Sequence, residues 1–233
     1  MPLSAKIHVC LVSANSYPLF NNDCSAKFGG AELQIFLLAK YLAQDENYLV
    51  SVIVGDFGQK EHECRHNVNL VKAHRRNGRT ADRLIAPFKL YRAISKLHPD
   101  VVIQRASGPE TGICAFYAWI KKIIFIYSVA HDAELEGQSV ASQHPIYRYL
   151  YDYGVKRANH IVVQSRNQLQ SLKRFNEELN DTALVIPNSI EMKNSHSGER
   201  RHILWIARAK SWKRPEVFID LANAIRDEHF VMV

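Results

Sequence analysis

The chain has 233 residues, 47% of them hydrophobic, with 30 Lys and Arg against 23 Asp and Glu for a formal charge of +7. This is the composition of a globular protein with a real core and room for one or two domains. Its longest uninterrupted apolar stretches, 112–120 and 123–130, are divided by Lys121-Lys122 and fall short of the roughly 18 to 20 residues of a membrane-spanning helix. The four cysteines, Cys10, Cys24, Cys64 and Cys114, form no Cys-x-x-Cys pair, so neither a zinc site nor a disulfide framework is indicated.

From the amino terminus onward, short apolar runs alternate with amphipathic stretches. Ile7 to Ala14 imitates the apolar centre of a secretory signal but runs directly into a strand-like alternation, so it is read as a first strand and cytoplasmic residence is expected. Strands are predicted at 6–12, 49–54, 68–71, 101–104, 123–129, 161–164 and 184–186, with helices at 31–44, 81–97, 110–120, 145–158 and 166–175. In the helix that begins at Pro145, the positions Ile146, Tyr149, Leu150 and Tyr153 share one side, which is expected to pack on a sheet. Ser165 followed by Gln168 is a capping-box pattern. Strands so apolar, separated by helices, imply an α/β fold with a mostly parallel, Rossmann-like sheet covered on both faces.

Residues 188–201 are nearly devoid of apolar side chains and mark an exposed connection. The expected organisation is a first domain over 1–187, a linker over 188–201 and the start of a second domain over 202–233. There a strand at 203–207, a helix from Pro215 with Phe218, Leu221, Ala222 and Ile225 on one face, and a strand at 230–233 make one βαβ unit. A unit of about 30 residues cannot bury its own core. Further chain, the first domain or another copy is expected to cover it.

Gly29-Gly30 opens the first long helix. Glycines there let the backbone approach a ligand, and the unpaired amides of a first turn, at the positive end of the helix dipole, suit phosphate oxygens; a plain tight turn is the structural alternative. The long link from Ser13 to Phe28 disfavours a dinucleotide-binding turn, which needs its glycines directly after the first strand. Glu32 complements the dipole. His131 follows a strand at the carboxyl end, where ligands gather in open α/β sheets, and its neighbours Asp132 and Glu134 have no spacing that defines a metal site. The densest basic stretch, which includes Arg75, Arg76 and Arg79, is either a solvated loop or a surface for anionic lipid or an acidic acceptor. Aromatics do not interleave with these charges, so nucleic acid is not an expected partner.

Taken together, Phe28-Gly29-Gly30-Ala31-Glu32, the stretch Ser128 to Asp132, Val185-Ile186-Pro187-Asn188, and Ala207-Arg208 to Lys213-Arg214-Pro215 resemble, in order and spacing, the GT-B glycosyltransferases of family 4. The resemblance spans essentially the whole chain but only about the first 60% of the roughly 350 to 400 residues that two such domains require. It implies retaining transfer of a sugar from a nucleoside diphosphate donor to a glycan or lipid-linked acceptor, in polysaccharide or cell-envelope glycan synthesis, with no cofactor and no obligatory metal. It also implies a cytoplasmic enzyme peripheral to the inner face of the membrane. By this analogy His131 is the catalytic contact to the donor sugar, Gly29, Gly30 and Glu32 bind donor phosphate or sugar, and Arg208 and Lys213 neutralise the leaving diphosphate. Ser189-Ile190-Glu191 and Ala207 depart from the usual Gly-Val-Asp and Gly, and the family's paired-glutamate motif does not occur in the chain. Weak or no transfer by this chain is therefore expected. The alternatives are a non-catalytic module that binds an anionic membrane or a partner protein, and a sugar-nucleotide epimerase of the same fold.

Overall fold

A computed structural model describes residues 5–73, 80–136, 144–191, 201–207, 209–210 and 213–233. The chain divides into two compact units, Met1–Ile190 and Glu191–Val233.

In the first unit the predicted alternation becomes β1 (Ile7–Val12), a short helix α1 (Tyr17–Phe20), α2 (Gly30–Leu42), β2 (Tyr48–Val54), β3 (His62–Arg65), β4 (Val68–Lys72), α3 (Thr80–Leu97), β5 (Val101–Arg105), α4 (Pro109–Lys121), β6 (Ile124–Ser128), α5 (Pro145–Lys156), β7 (His160–Val163), α6 (Arg166–Phe175) and β8 (Ala183–Val185). Among the described residues these strands form one sheet in the order β3-β4-β2-β1-β5-β6-β7-β8. All neighbours are parallel except the β3–β4 hairpin. The chain moves outward from β1 to one side and then crosses to β5 on the other. The strand order thus reverses between β1 and β5, whose carboxyl ends flank the crevice where this class of sheet takes ligands.

Alternate residues of each strand point into two cores. Cys10, Val102, Phe125, Tyr127 and Ile161 face α3, α4, α5 and α6, while Leu11, Val50, Val52 and Val54 face α1 and α2. Each fully buried aliphatic or aromatic side chain contributes about 1.5–3 kcal/mol. Helices α4 and α5 cross at backbone contact because Gly112 and Gly154 lie at the crossing: a Cβ on Gly154 would meet the Thr111 carbonyl at 2.6 Å.

The predicted packing face of α5 is corrected. Ile146 and Tyr149 are exposed, and the buried residues are Tyr151, Gly154 and Val155. The close crossing with α4 decides the matter: Gly154 must face α4, which rotates the stripe from Ile146 to Tyr149 outward. The Ser165 cap is present, with the Gln168 amide donating to Ser165 Oγ at 3.2 Å, but the Gln168 side chain accepts from the Gln164 amide (2.8 Å).

The second unit is a βαβ turn in which β9 (Ile203–Trp205) pairs in parallel with β10 (Phe230–Met232), and α7 (Pro215–Ala224) connects them. Phe218 packs against Trp205 and Phe230, with ring centroids 6.4 and 5.4 Å apart. None of its described residues is buried.

Candidate functional site

At the carboxyl edge of the large sheet, Gly29 caps α2 in an extended conformation and the helix proper starts at Gly30. The Gly29 amide is engaged within the protein. It donates to Glu32 Oε2 at 2.9 Å, and the other oxygen of Glu32 accepts from Asn15 Nδ2 at 3.3 Å, just past β1. Glu32 therefore serves here as the reciprocal half of a capping box and ties α2 to the end of β1. The amides of Gly30, Ala31 and Glu32 remain without hydrogen-bond partners among the described residues. Gly30 is exposed, and a Cβ placed on it would meet nothing within 4 Å among the described residues. Unpartnered amides at the positive end of a 13-residue helix are the arrangement that suits an anion.

His131 lies three residues beyond β6, exposed, at the start of a short 3-10 turn over Asp132–Glu134. Its Nδ1 accepts from the Ala133 amide at 3.1 Å. That bond assigns the proton to Nε2, so the free edge of the ring is a donor able to reach a hydroxyl or anion.

A buried polar network holds this turn in place. Glu134 Oε2 accepts from the Tyr127 hydroxyl (2.7 Å) and the Ala130 amide (3.0 Å), and the Ser107 amide also bonds this carboxylate. Tyr127 in turn contacts the Tyr151 hydroxyl at 3.3 Å. Burial pushes the Glu134 carboxyl above its usual range, opposed by these donors and by the positive charge of Arg105. Arg105, at the end of β5, donates to Ser128 Oγ and to Asn188 Oδ1, both at 2.8 Å, while its Nε is buried with no partner among the described residues. Burial lowers the pKa of this guanidinium, and the negative charge of Glu134 opposes the shift; Arg105 stays cationic. Gln168 Nε2 donates to Asp132 Oδ1 (2.8 Å), which fixes the other side of the turn.

The same edge joins the helix tip to the histidine. Gln34, in the second turn of α2, donates to the Ser189 carbonyl (2.8 Å) and accepts the Ser189 amide (2.9 Å). Adjacent Asn188 donates to Gln164 Oε1 (2.6 Å), and Gln164 donates to the carbonyls of Val129 and Ala130, one residue from His131. Gly30, Glu32 and His131 thus belong to one hydrogen-bonded rim. Lys213 lies in the second unit, exposed, just ahead of α7, with its amide donating to the Lys210 carbonyl at 2.8 Å. Arg208 and the basic triplet Arg75, Arg76 and Arg79 fall outside the described residues.

Arg105 and the supporting role of Glu134 escaped the sequence reading. The available signal was position, since Arg105, like His131, stands at the end of a central strand. Among the described residues no three His, Cys, Asp or Glu side chains gather as a metal site.

Several solved structures share this architecture. A UDP-N-acetylglucosamine 2-epimerase from Listeria monocytogenes, described as putative, superposes with a TM-score of 0.60 at 12% identity over 98% of this chain and 62% of that one. The S. aureus MnaA structure with UDP gives 0.57 at 13% identity over 97% and 61%. The UDP-GlcNAc 2-epimerase of Methanocaldococcus jannaschii gives 0.54 at 11% identity over 97% and 65%. The chain spans about three fifths of the length of these structures, and at such identities the likeness is one of fold, the GT-B arrangement of Rossmann-like layers. No curated protein matches the chain. The model of Glycosyltransferase Family 4 matches residues 28–194, from the tip of α2 through the network around His131 and past Asn188, and the chain belongs to that family.

Proposed function

We propose that this chain contributes the acceptor-side domain, and the opening of the donor-side domain, of a retaining glycosyltransferase that moves a sugar from a nucleoside diphosphate to a glycan or lipid-linked acceptor. The observation that carries the reading is the pair of groups on one rim: the amides of Gly30–Glu32, unpartnered among the described residues, and the Nε2 donor of His131. As the anomeric bond breaks, negative charge grows on the diphosphate, so donors aimed there stabilise the transition state more than the ground state. In this reading the Gly30 and Ala31 amides meet phosphate or sugar oxygens, with Gly29 shaping the turn. His131 touches the donor sugar beside the reacting carbon, and Arg208 and Lys213 offset the charge of the departing diphosphate. Synthesis of a cell-envelope polysaccharide at the inner face of the membrane is the setting we assign to it.

The test is transfer from labelled nucleoside diphosphate sugars by the protein encoded by the complete reading frame. His131→Ala should lower the rate by orders of magnitude with the melting temperature unchanged; activity within a few-fold of the parent overturns the role of His131. The epimerase neighbours favour a second reading, rearrangement of the donor with no acceptor. Conversion of the donor sugar in the absence of any acceptor would select it.

A further inference from the structure

On the face of the first unit formed by α3, α4 and α5 lies an open groove of about 590 Å³, lined by residues that include Phe88, Tyr91, Phe116, Tyr149 and Tyr153. That volume is of ligand-pocket size, and nothing among the described residues fills it. On it stand apolar side chains that a water-facing surface does not explain: Phe88 is 66% exposed and Tyr149 70%, and Trp119, beside the lining residue Phe116, is 59% exposed. They form one patch, since Phe88, Tyr91, Phe116 and Tyr149 line the same groove and Phe116 contacts both Tyr91 and Trp119, with ring centroids 6.3 and 6.2 Å apart. A contiguous apolar area of this kind marks an interaction surface.

The charges bordering the patch indicate the occupant. From residue 85 onward, α3 carries Lys89, Arg92 and Lys96 and no carboxylate. Phe88, Arg92 and Lys96 follow one another at four-residue spacing on that helix. Arg157 stacks over both Trp119 and Tyr153, 5.3 and 5.0 Å from their ring centroids. On α5 the carboxylate of Asp152 is already engaged by Arg148 at 3.7 Å. Aromatic side chains ringed by cations match the boundary of a bilayer, where rings settle at headgroup depth and lysines and arginines meet lipid phosphates. A two-fold contact between copies would set the same cations against each other. We infer that the α3–α4–α5 face docks the protein on an anionic lipid bilayer, with the groove admitting one acyl chain. This surface deepens the membrane setting of the proposed function, and its test does not depend on sugar transfer.

The experiment is cosedimentation of the 233-residue chain with phosphatidylcholine vesicles, with and without about one third phosphatidylglycerol, at low salt. Binding is expected on the anionic vesicles. Phe88→Asp combined with Tyr149→Asp should weaken it at least about tenfold, and Arg92→Ala about fivefold on anionic vesicles only. With Trp205 and Trp212 replaced by Phe, Trp119 emission should shift to the blue and be quenched by brominated lipid. Failure to sediment, binding unaltered in a folded Asp variant, or Trp119 untouched by brominated lipid each overturns the inference. So does a dimer seen by light scattering that the Asp pair dissolves. Should the Asp pair unfold the protein, the Trp119 quenching decides alone.

Discussion

Removing the Glu134 carboxylate tests the view that a buried acid holds the His131 turn. In Glu134→Ala, the Tyr127 hydroxyl and the amides of Ala130 and Ser107 lose their acceptor, and Arg105 loses the negative charge that opposes its desolvation. Breaking one side of such a buried set costs about 3–5 kcal/mol, a large share of the about 5–15 kcal/mol that keeps a domain folded. Glu134→Gln keeps the shape and one acceptor and should cost only about 1–2 kcal/mol. The two variants also separate by pH. Because burial raises the folded-state pKa of Glu134 above its unfolded value, the native protein holds a proton that the unfolded chain has released between those two values. Stability therefore falls as pH rises through that window, by up to about 1.4 kcal/mol per pH unit for one proton, and the slope is absent in Glu134→Gln. Urea unfolding at a series of pH values across the acid range measures both quantities. A Glu134→Ala variant within about 0.5 kcal/mol of the parent, or a Glu134→Gln variant with the parent's pH slope, refutes the assignment.

Two further outcomes follow from packing. Gly154→Ala forces a methyl against the Thr111 carbonyl at 2.6 Å and the Gly112 amide at 2.8 Å; it should cost about 1–3 kcal/mol by overpacking and lower the thermal midpoint by several degrees, whereas an unchanged midpoint would show that α4 and α5 part freely. Burial pushes the Cys10 thiol up to about 12 and Cys114 well above its ordinary value, whereas Cys64 is exposed and Cys24 half-buried. A disulfide reagent near neutral pH should titrate those two thiols in the native protein and all four in denaturant; a third rapid native thiol would mean that the sheet core opens.

The sheet was legible because parallel strands buried on both sides read as unbroken apolar runs. Ile7–Val12 and Tyr48–Val54 differ from the sequence reading by a single residue, and the helix Arg166–Phe175 by none. The strand His62–Arg65 was invisible because it is an edge of polar residues. It pairs through a turn in which His66 and Asn67 both take positive φ, a geometry that no glycine advertised. On α5 the apolar spacing was real but its destination was misread. A stripe that faces solvent and a stripe that faces a core are written in the same residues, and only the glycine crossing tells them apart. The candidate site was legible where glycines and histidine stand at element ends. It was not legible where Arg105, Ser128, Glu134 and Asn188, from four separate segments, meet by folding alone.

The double bond between Gln34 and Ser189 bears on how this rim tolerates drift. Gln34 reads the peptide of Ser189 through its amide and carbonyl, and the hydroxyl adds only a weak third contact at 3.3 Å. Ser189 is not among the residues with positive φ, so its backbone does not demand glycine. A protein that reads a neighbour by its main chain lets the neighbour's side chain wander. Serine is thus accommodated here without cost to the backbone, and replacing the glutamine that does the reading should disturb the junction more than replacing the serine.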